Sequence, residues 1–127
     1  FFDSLESRVA HLLFAVPAVK GVEFGSGFAA ARMRGSQHND PILDAAGTTA
    51  SNHAGGVVGG LSDGNELVVR AAFKPTPSIA RPQMTFNRTT GRVEPLIVGG
   101  RHDVCVALRG AAVVEAAVAI ALADLRR

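Results

Sequence analysis

Apolar residues recur at helical spacing from the start of the chain. Leu5, Val9, Leu12, Leu13 and Val16 share one face of a helix over residues 3–16. Asp3 stands at its N-cap position, with Glu6 three residues on as capping-box partner, and Pro17 stops it. The period then shortens. "AVKGVEF" reads as a strand, "GSG" as a turn and "FAAARMR" as a second extended piece. Residues 35–54 mix Gly, Ser, Asn, Asp, His and Pro without period, which predicts a long loop. The glycine tract "GGVVGGLSDGN" follows. "ELVVRAAF" is a strand, "QMTFNR" and "VEPLIVG" are two more joined by "TTGR", and "DVCVALR" reads as another. The last segment, "AAVVEAAVAIALADLRR", is helical and apolar on nearly every side. Such a helix is buried on both flanks. Glu115 inside it is costly unless paired, while Asp124, Arg126 and Arg127 take its end to water. The order of elements predicts an α/β fold with helices between sheet layers.

Composition narrows the function. At 127 residues the chain is one domain, and 47% hydrophobic against 19% charged content argues against disorder. A net charge of +2 suits a small anion as well as nucleic acid, but no Lys/Arg run tracks a phosphate backbone. The aromatic residues are all Phe, which argues against a base-stacking platform. Cys105 is the one cysteine, so no internal disulfide forms and a reducing cytoplasm is the expected compartment. The longest apolar run lies between Gly110 and Asp124, too short to span a bilayer. The opening "FFDSLESRV" has no Met and begins with two apolar rings, which reads as a piece of something longer.

Four stretches carry candidate chemistry. "GSGFAA" mimics G-x-G-x-x-A, but the following "AAARMRGSQ" is too short for the helix of a dinucleotide (NAD) site, so a hairpin turn is the better reading. "GGVVGG" is no P-loop, yet its glycines allow backbone N–H groups to meet an anion or a flavin edge; a flexible linker is the alternative. "KPTPS" combines an ammonium, two hydroxyls and two fixed φ angles, so Lys74, Thr76 and Ser78 can be offered to phosphate at low entropic cost. By itself it reads equally as a stiff edge turn. "GGRHDVC" sets Arg101, His102 and Asp103 side by side; in a strand Arg101 and Asp103 would face one side, and the alternative is a strand-end salt bridge. His102 and Cys105 lack a second ligand pair for a metal. His11 reads as structural, and His38 and His53 as solvated or ligand-facing. Composition alone reaches a phosphate- or nucleotide-binding α/β module, catalytic or not.

The ordered set is more specific. "FFDSLES", "AHLLFAVPAVKGVEFGSGF", "GSQHND", "SNHAGGVVGGLSDG", "AFKPTPSI" and "GRHDVCVALRGAAVVEA" together resemble the C-terminal part of the chorismate synthase family. The resemblance implies a β-α-β sandwich of antiparallel sheets, with helices between and outside the layers, of which residues 1–127 are a partial copy. It implies a shikimate-pathway lyase forming chorismate from 5-enolpyruvylshikimate 3-phosphate by anti-1,4-elimination of phosphate. Reduced FMN is the implied cofactor, NADP is implied beside it, and a homotetramer is the implied assembly. Carried over by motif, the FMN contacts are Pro17, Ala18, Gly59, Lys74, Pro75, Thr76, Pro77, Ser78 and Arg101. Asp103 matches the acidic residue near flavin N5 that assists proton removal. The family's two catalytic histidines and most substrate-phosphate arginines fall upstream of this chain. Val104 replaces a family Pro, and Gly110 and Ala112 stand where an Ala and a Pro are usual, departures expected to loosen the approach to the last helix.

Overall fold

The structure, a computed structural model, describes residues 2–126. Phe1 and Arg127, read above as an apolar start and a solvated end, lie outside the described residues. The expected mixture of helices with antiparallel sheet is present. Helix α1 (Leu5–Ala15) leads to strand β1 (Val19–Phe24), a 3₁₀ helix (Gly27–Arg32) and the single turn α2 (Gly35–His38). Strands β2 (Val57–Val58), β3 (Leu61–Ser62) and β4 (Val69–Phe73) follow, then β5 (Gln83–Asn87), β6 (Arg92–Leu96) and helix α3 (Ala107–Leu125). The strands form three antiparallel pairs, β1–β4, β2–β3 and β5–β6.

The start of α1 differs from expectation. Ser4, rather than Asp3, is the N-cap, and its hydroxyl accepts from Ser7 N–H at 3.2 Å. Asp3 lies one residue too early for that bond and pairs with Arg8 at 3.3 Å instead. Arg8 also pairs with Asp124, tying α1 to the end of α3. Leu5, Val9 and Leu13 turn inward at the predicted spacing and, with Val57 and Ala121, make the core.

Strand β1 pairs with β4, distant in sequence, with Val22 opposite Ala71 and Phe24 opposite Val69. "GSG" is therefore not a hairpin turn. "FAAARMR" is not extended either, because the Glu23 carboxylate accepts from Phe28 N–H at 3.0 Å and Ser26 O from Ala29 N–H at 3.0 Å, coiling the alanines into the 3₁₀ helix. A dinucleotide site has no long helix to open here. The glycine tract is a hairpin, not a linker: Val58 faces Leu61 across Gly59 and Gly60, whose φ angles of 61° and 85° are those of a type I′ turn.

"DVCVALR" is not a strand. Residues 101–105 have no regular structure, and Ala107–Arg109 are the first turn of α3. The alternation proposed for Arg101 and Asp103 therefore does not exist. Helix α3 packs on α1 along one flank only, and its buried residues are Gly110 and Ala121. Val113 and Ile120 are exposed, and so is Glu115, which carries no burial cost. The unusual Gly110 has a packing reason. The Phe73 ring lies against it so closely that a Cβ would stand 2.4 Å from ring carbon Cζ, so Gly110 draws the end of β4 onto α3 rather than loosening it. The β5–β6 ribbon matches its predicted strands and turn. Met84, Phe86, Val93 and Pro95 form one exposed apolar face, set by a register pairing Met84 with Pro95 and Phe86 with Val93.

The cap assignment predicts unequal effects. Ser4→Ala should lower unfolding free energy by about 1 kcal/mol, and Asp3→Ala by less, as expected for an exposed ion pair. Urea denaturation of both variants measures the difference.

Candidate functional site

The turn after α1 is built by Val16, Pro17, Ala18 and Val19. Val19 N–H donates to Val16 O at 3.2 Å, Pro17 occupies the second position, and Ala18 has φ 73°. That is the arrangement of a type II turn, whose third position ordinarily takes glycine. An alanine there costs on the order of 1 kcal/mol, so the surroundings must hold it. One holding contact is evident: Lys74 N–H donates to Ala18 O at 2.8 Å, extending the β1–β4 pairing by one bond. Pro17, Ala18 and Lys74, far apart in sequence, thus meet at one corner.

From that corner the Pro75–Ser78 strap runs along a groove of ≈ 710 Å³, within the size range of small-ligand sites. Pro75, Thr76 and Ser78 line it together with Gly100, His102 and Asp103. Two prolines in four residues stiffen the strap. Thr76 Oγ1 is shielded from water and, among the described residues, has no hydrogen-bond partner. A shielded hydroxyl left unpaired costs roughly 1–3 kcal/mol, a cost that a bound group bonding to it would remove. Asp103 pairs with Arg109 at 3.4 Å across the first turn of α3. His102 Nε2 bonds to Gly99 O at 3.1 Å and holds the facing segment in a bend.

The remaining candidates are placed differently. Arg101, Lys74 and Pro77 are exposed and do not line the groove. Gly59 stands at the tip of the β2–β3 hairpin, beside a second hollow of ≈ 650 Å³ lined by His38, Asp40, Thr49, Val57 and Asn65 among others. Sequence reasoning missed Arg81, which lines the first groove and was visible as the second cation of "KPTPSIAR". It also missed the ordering of residues 35–54, which are no open loop: Ile42 bridges Thr49, and carboxylates take the backbone N–H groups that strands would otherwise pair. Asp40 is the clearest case. Burial opposes its charge, but N–H groups of His53 and Ala54, the Ser51 hydroxyl and the nearby His53 ring outweigh this and hold its carboxyl below the usual range. Among the described residues no cluster of His, Cys, Asp or Glu could hold a metal ion, and no helix is long and apolar enough to cross a membrane.

The family model described as chorismate synthase matches residues 1–126. The chain belongs to the chorismate synthase family. It is similar to the chorismate synthases of Chitinophaga pinensis, 61% identical over 124 residues, and of Korarchaeum cryptofilum, 51% identical over 125. Those matches cover 98% and 97% of this chain but 37% and 35% of the relatives, so the chain spans about a third of their length. A crystal structure of a chorismate synthase superposes with a TM-score of 0.55 at 42% identity, over 59% of this chain and 23% of that one. The matched region of the family therefore includes the strap, the groove and the glycine hairpin.

Asp40, Glu23 and Asp44 all have carboxyls lowered by the donors that grip them. A carboxyl lower in the folded than in the unfolded chain stabilises fully above the ordinary carboxylate value, about 4, and loses that contribution as pH falls through the folded value. Urea midpoints should thus be flat from neutrality to about pH 5 and fall below pH 4, and Asp40→Asn should make the acid fall shallower.

Proposed function

We propose that these residues are the C-terminal portion, and part of a single domain, of a chorismate synthase. That lyase eliminates phosphate from 5-enolpyruvylshikimate 3-phosphate with reduced FMN and acts in the cytoplasm as a homotetramer. The observation that carries the reading is the Thr76 hydroxyl, shielded and, among the described residues, unpaired, on a stiff strap that lines a ligand-sized groove together with Asp103.

The residues fit a flavin mononucleotide. Lys74, Thr76 and Ser78 offer an ammonium and two hydroxyls, groups suited to a phosphate or to a flavin's polar edge. The anchored corner at Ala18 holds the start of the strap before a ligand arrives, which lowers the cost of binding. Reduced FMN, when bound, supplies electron density to the substrate during the elimination. Arg101 adds a cation on the facing segment, and Gly59 lets a ligand approach backbone closely, since a Cβ there would meet nothing within 4 Å. Asp103, which pairs with Arg109, is the carboxylate that accepts a proton during the elimination. The upstream histidines and arginines of the family complete the active site, so the 127 residues alone turn over no substrate.

The test uses the full-length protein under anaerobic, reducing conditions, with chorismate as readout; no chorismate from a folded protein that binds FMN contradicts the proposed reaction. Two variants address the strap. Thr76→Val removes the unpaired hydroxyl and should leave the flavin-free protein equally or more stable while weakening FMN binding about tenfold, ~1.4 kcal/mol. Lys74→Ala should weaken FMN binding by about tenfold or more with little change in melting temperature. Equal melting loss with unchanged FMN affinity returns the strap to an edge turn.

A further inference from the structure

We propose that Asp40 is a positioning residue for the flavin site: its carboxylate fixes the 51–54 turn and, through it, the Gly59 tip. This rests on the flavin reading above and adds a residue to it. Asp40 follows α2, whose end is set by Asn39 N–H donating to Gly35 O at 2.9 Å. From there its carboxylate grips a stretch more than ten residues away. Oδ1 accepts from His53 N–H at 2.9 Å and from Ser51 Oγ at 2.7 Å, and Oδ2 accepts from Ala54 N–H at 2.8 Å. Three donors from four consecutive residues converge on one anion. A neutral amide cannot replace it, because one of its two terminal atoms is a donor and would face a backbone N–H.

The gripped turn is connected on its other side as well. His53 O accepts from Ser26 N–H at 2.8 Å, and its ring Nδ1 lies 2.7 Å from Ser26 Oγ. Asn52 Oδ1 accepts from Gly56 N–H at 2.9 Å. The chain then passes directly through Gly55, Gly56 and Val57, all buried, into the β2–β3 hairpin. Four residues separate Ala54 from Gly59, and the three buried ones have no room to absorb a shift at the turn. At the far side, Leu5 N–H donates to Gly60 O at 2.9 Å. The tip is therefore fixed between the start of α1 and the Asp40 clamp. Nothing packs where a Gly59 Cβ would be, so its position depends on backbone anchors on either side, which besides those two include the Gly55 and Gly56 carbonyls accepting from Val68 and Asp63 N–H, each at 3.1 Å. Asp40 and Gly59 line the same hollow.

The test compares Asp40→Asn with Asp44→Asn in the full-length protein. Asp44 grips Ala46 and Thr48 N–H groups in the same region but has no bond to the 51–54 turn. FMN affinity is read by quenching of flavin fluorescence, stability by melting temperature, and turnover at varied FMN. Asp40→Asn should weaken FMN binding about tenfold, raise half-saturating FMN to match, and leave kcat at saturating FMN nearly unchanged. Asp44→Asn should lower melting temperature without moving FMN affinity. Unchanged FMN affinity in a folded Asp40→Asn protein overturns the proposal, as does a loss in both variants that simply follows melting temperature. Should Asp40→Asn fail to fold, Ser51→Ala removes one of the three donors; it should weaken FMN binding measurably, and unchanged affinity there overturns the proposal too. A wild-type protein that binds no FMN overturns the flavin reading itself, whereas a wild type that binds, with an unaffected Asp40→Asn, overturns this inference alone.

Discussion

The hydrogen bond from Lys74 N–H to Ala18 O holds together what the rest of the molecule arranges. Ala18 sits in a left-handed conformation that alanine resists, at a turn that Pro17 begins. The turn reverses the chain from α1 into β1, and the core residues of α1 fix where it reverses. Strand β4 reads its register from β1, and its last act before leaving the sheet is to donate to Ala18. The strap therefore starts from a strained corner clamped by a helix and a sheet. That bond fixes where the strap from Lys74 to Ser78 begins.

Elsewhere, side chains replace regular structure as the source of order. Residues 35–65 contain one helical turn and a two-residue-per-strand hairpin, yet many of their N–H groups are bonded. Asp40, Asp44, Asn52 and Asn65 supply acceptors or donors that a sheet would otherwise supply. This suits a binding surface, because such turns hold glycine backbone open where strands would cover it. Their dependence on carboxylates makes the region acid-labile.

Much of the framework was legible. The three- and four-residue spacing of Leu5, Val9, Leu12 and Leu13 located α1, and the β1, β4, β5 and β6 segments followed from β-branched and aromatic runs. Three failures have separate causes. "FAAARMR" coils because Glu23, five residues before Phe28 and in another element, caps it. "DVCVALR" alternates like a strand, but its end belongs to α3 and Asp103 turns to Arg109 across the first turn. The all-round apolar α3 predicts two covered flanks, and the chain itself covers one. For the site, motif resemblance named the strap, Arg81 was in view as a cation although its place in the groove was not, and Asp40 required three-dimensional neighbours. Asp40 has no local signal, since its donors lie at 51–54.

The central claim is that residues 74–78 and 98–104 face one flavin. Photolysis of full-length protein with an azido-FMN, followed by peptide mapping, tests it most directly. Labelling within those two segments, competed by FMN, is the predicted result. Competed labelling elsewhere, with neither segment modified, would contradict the account.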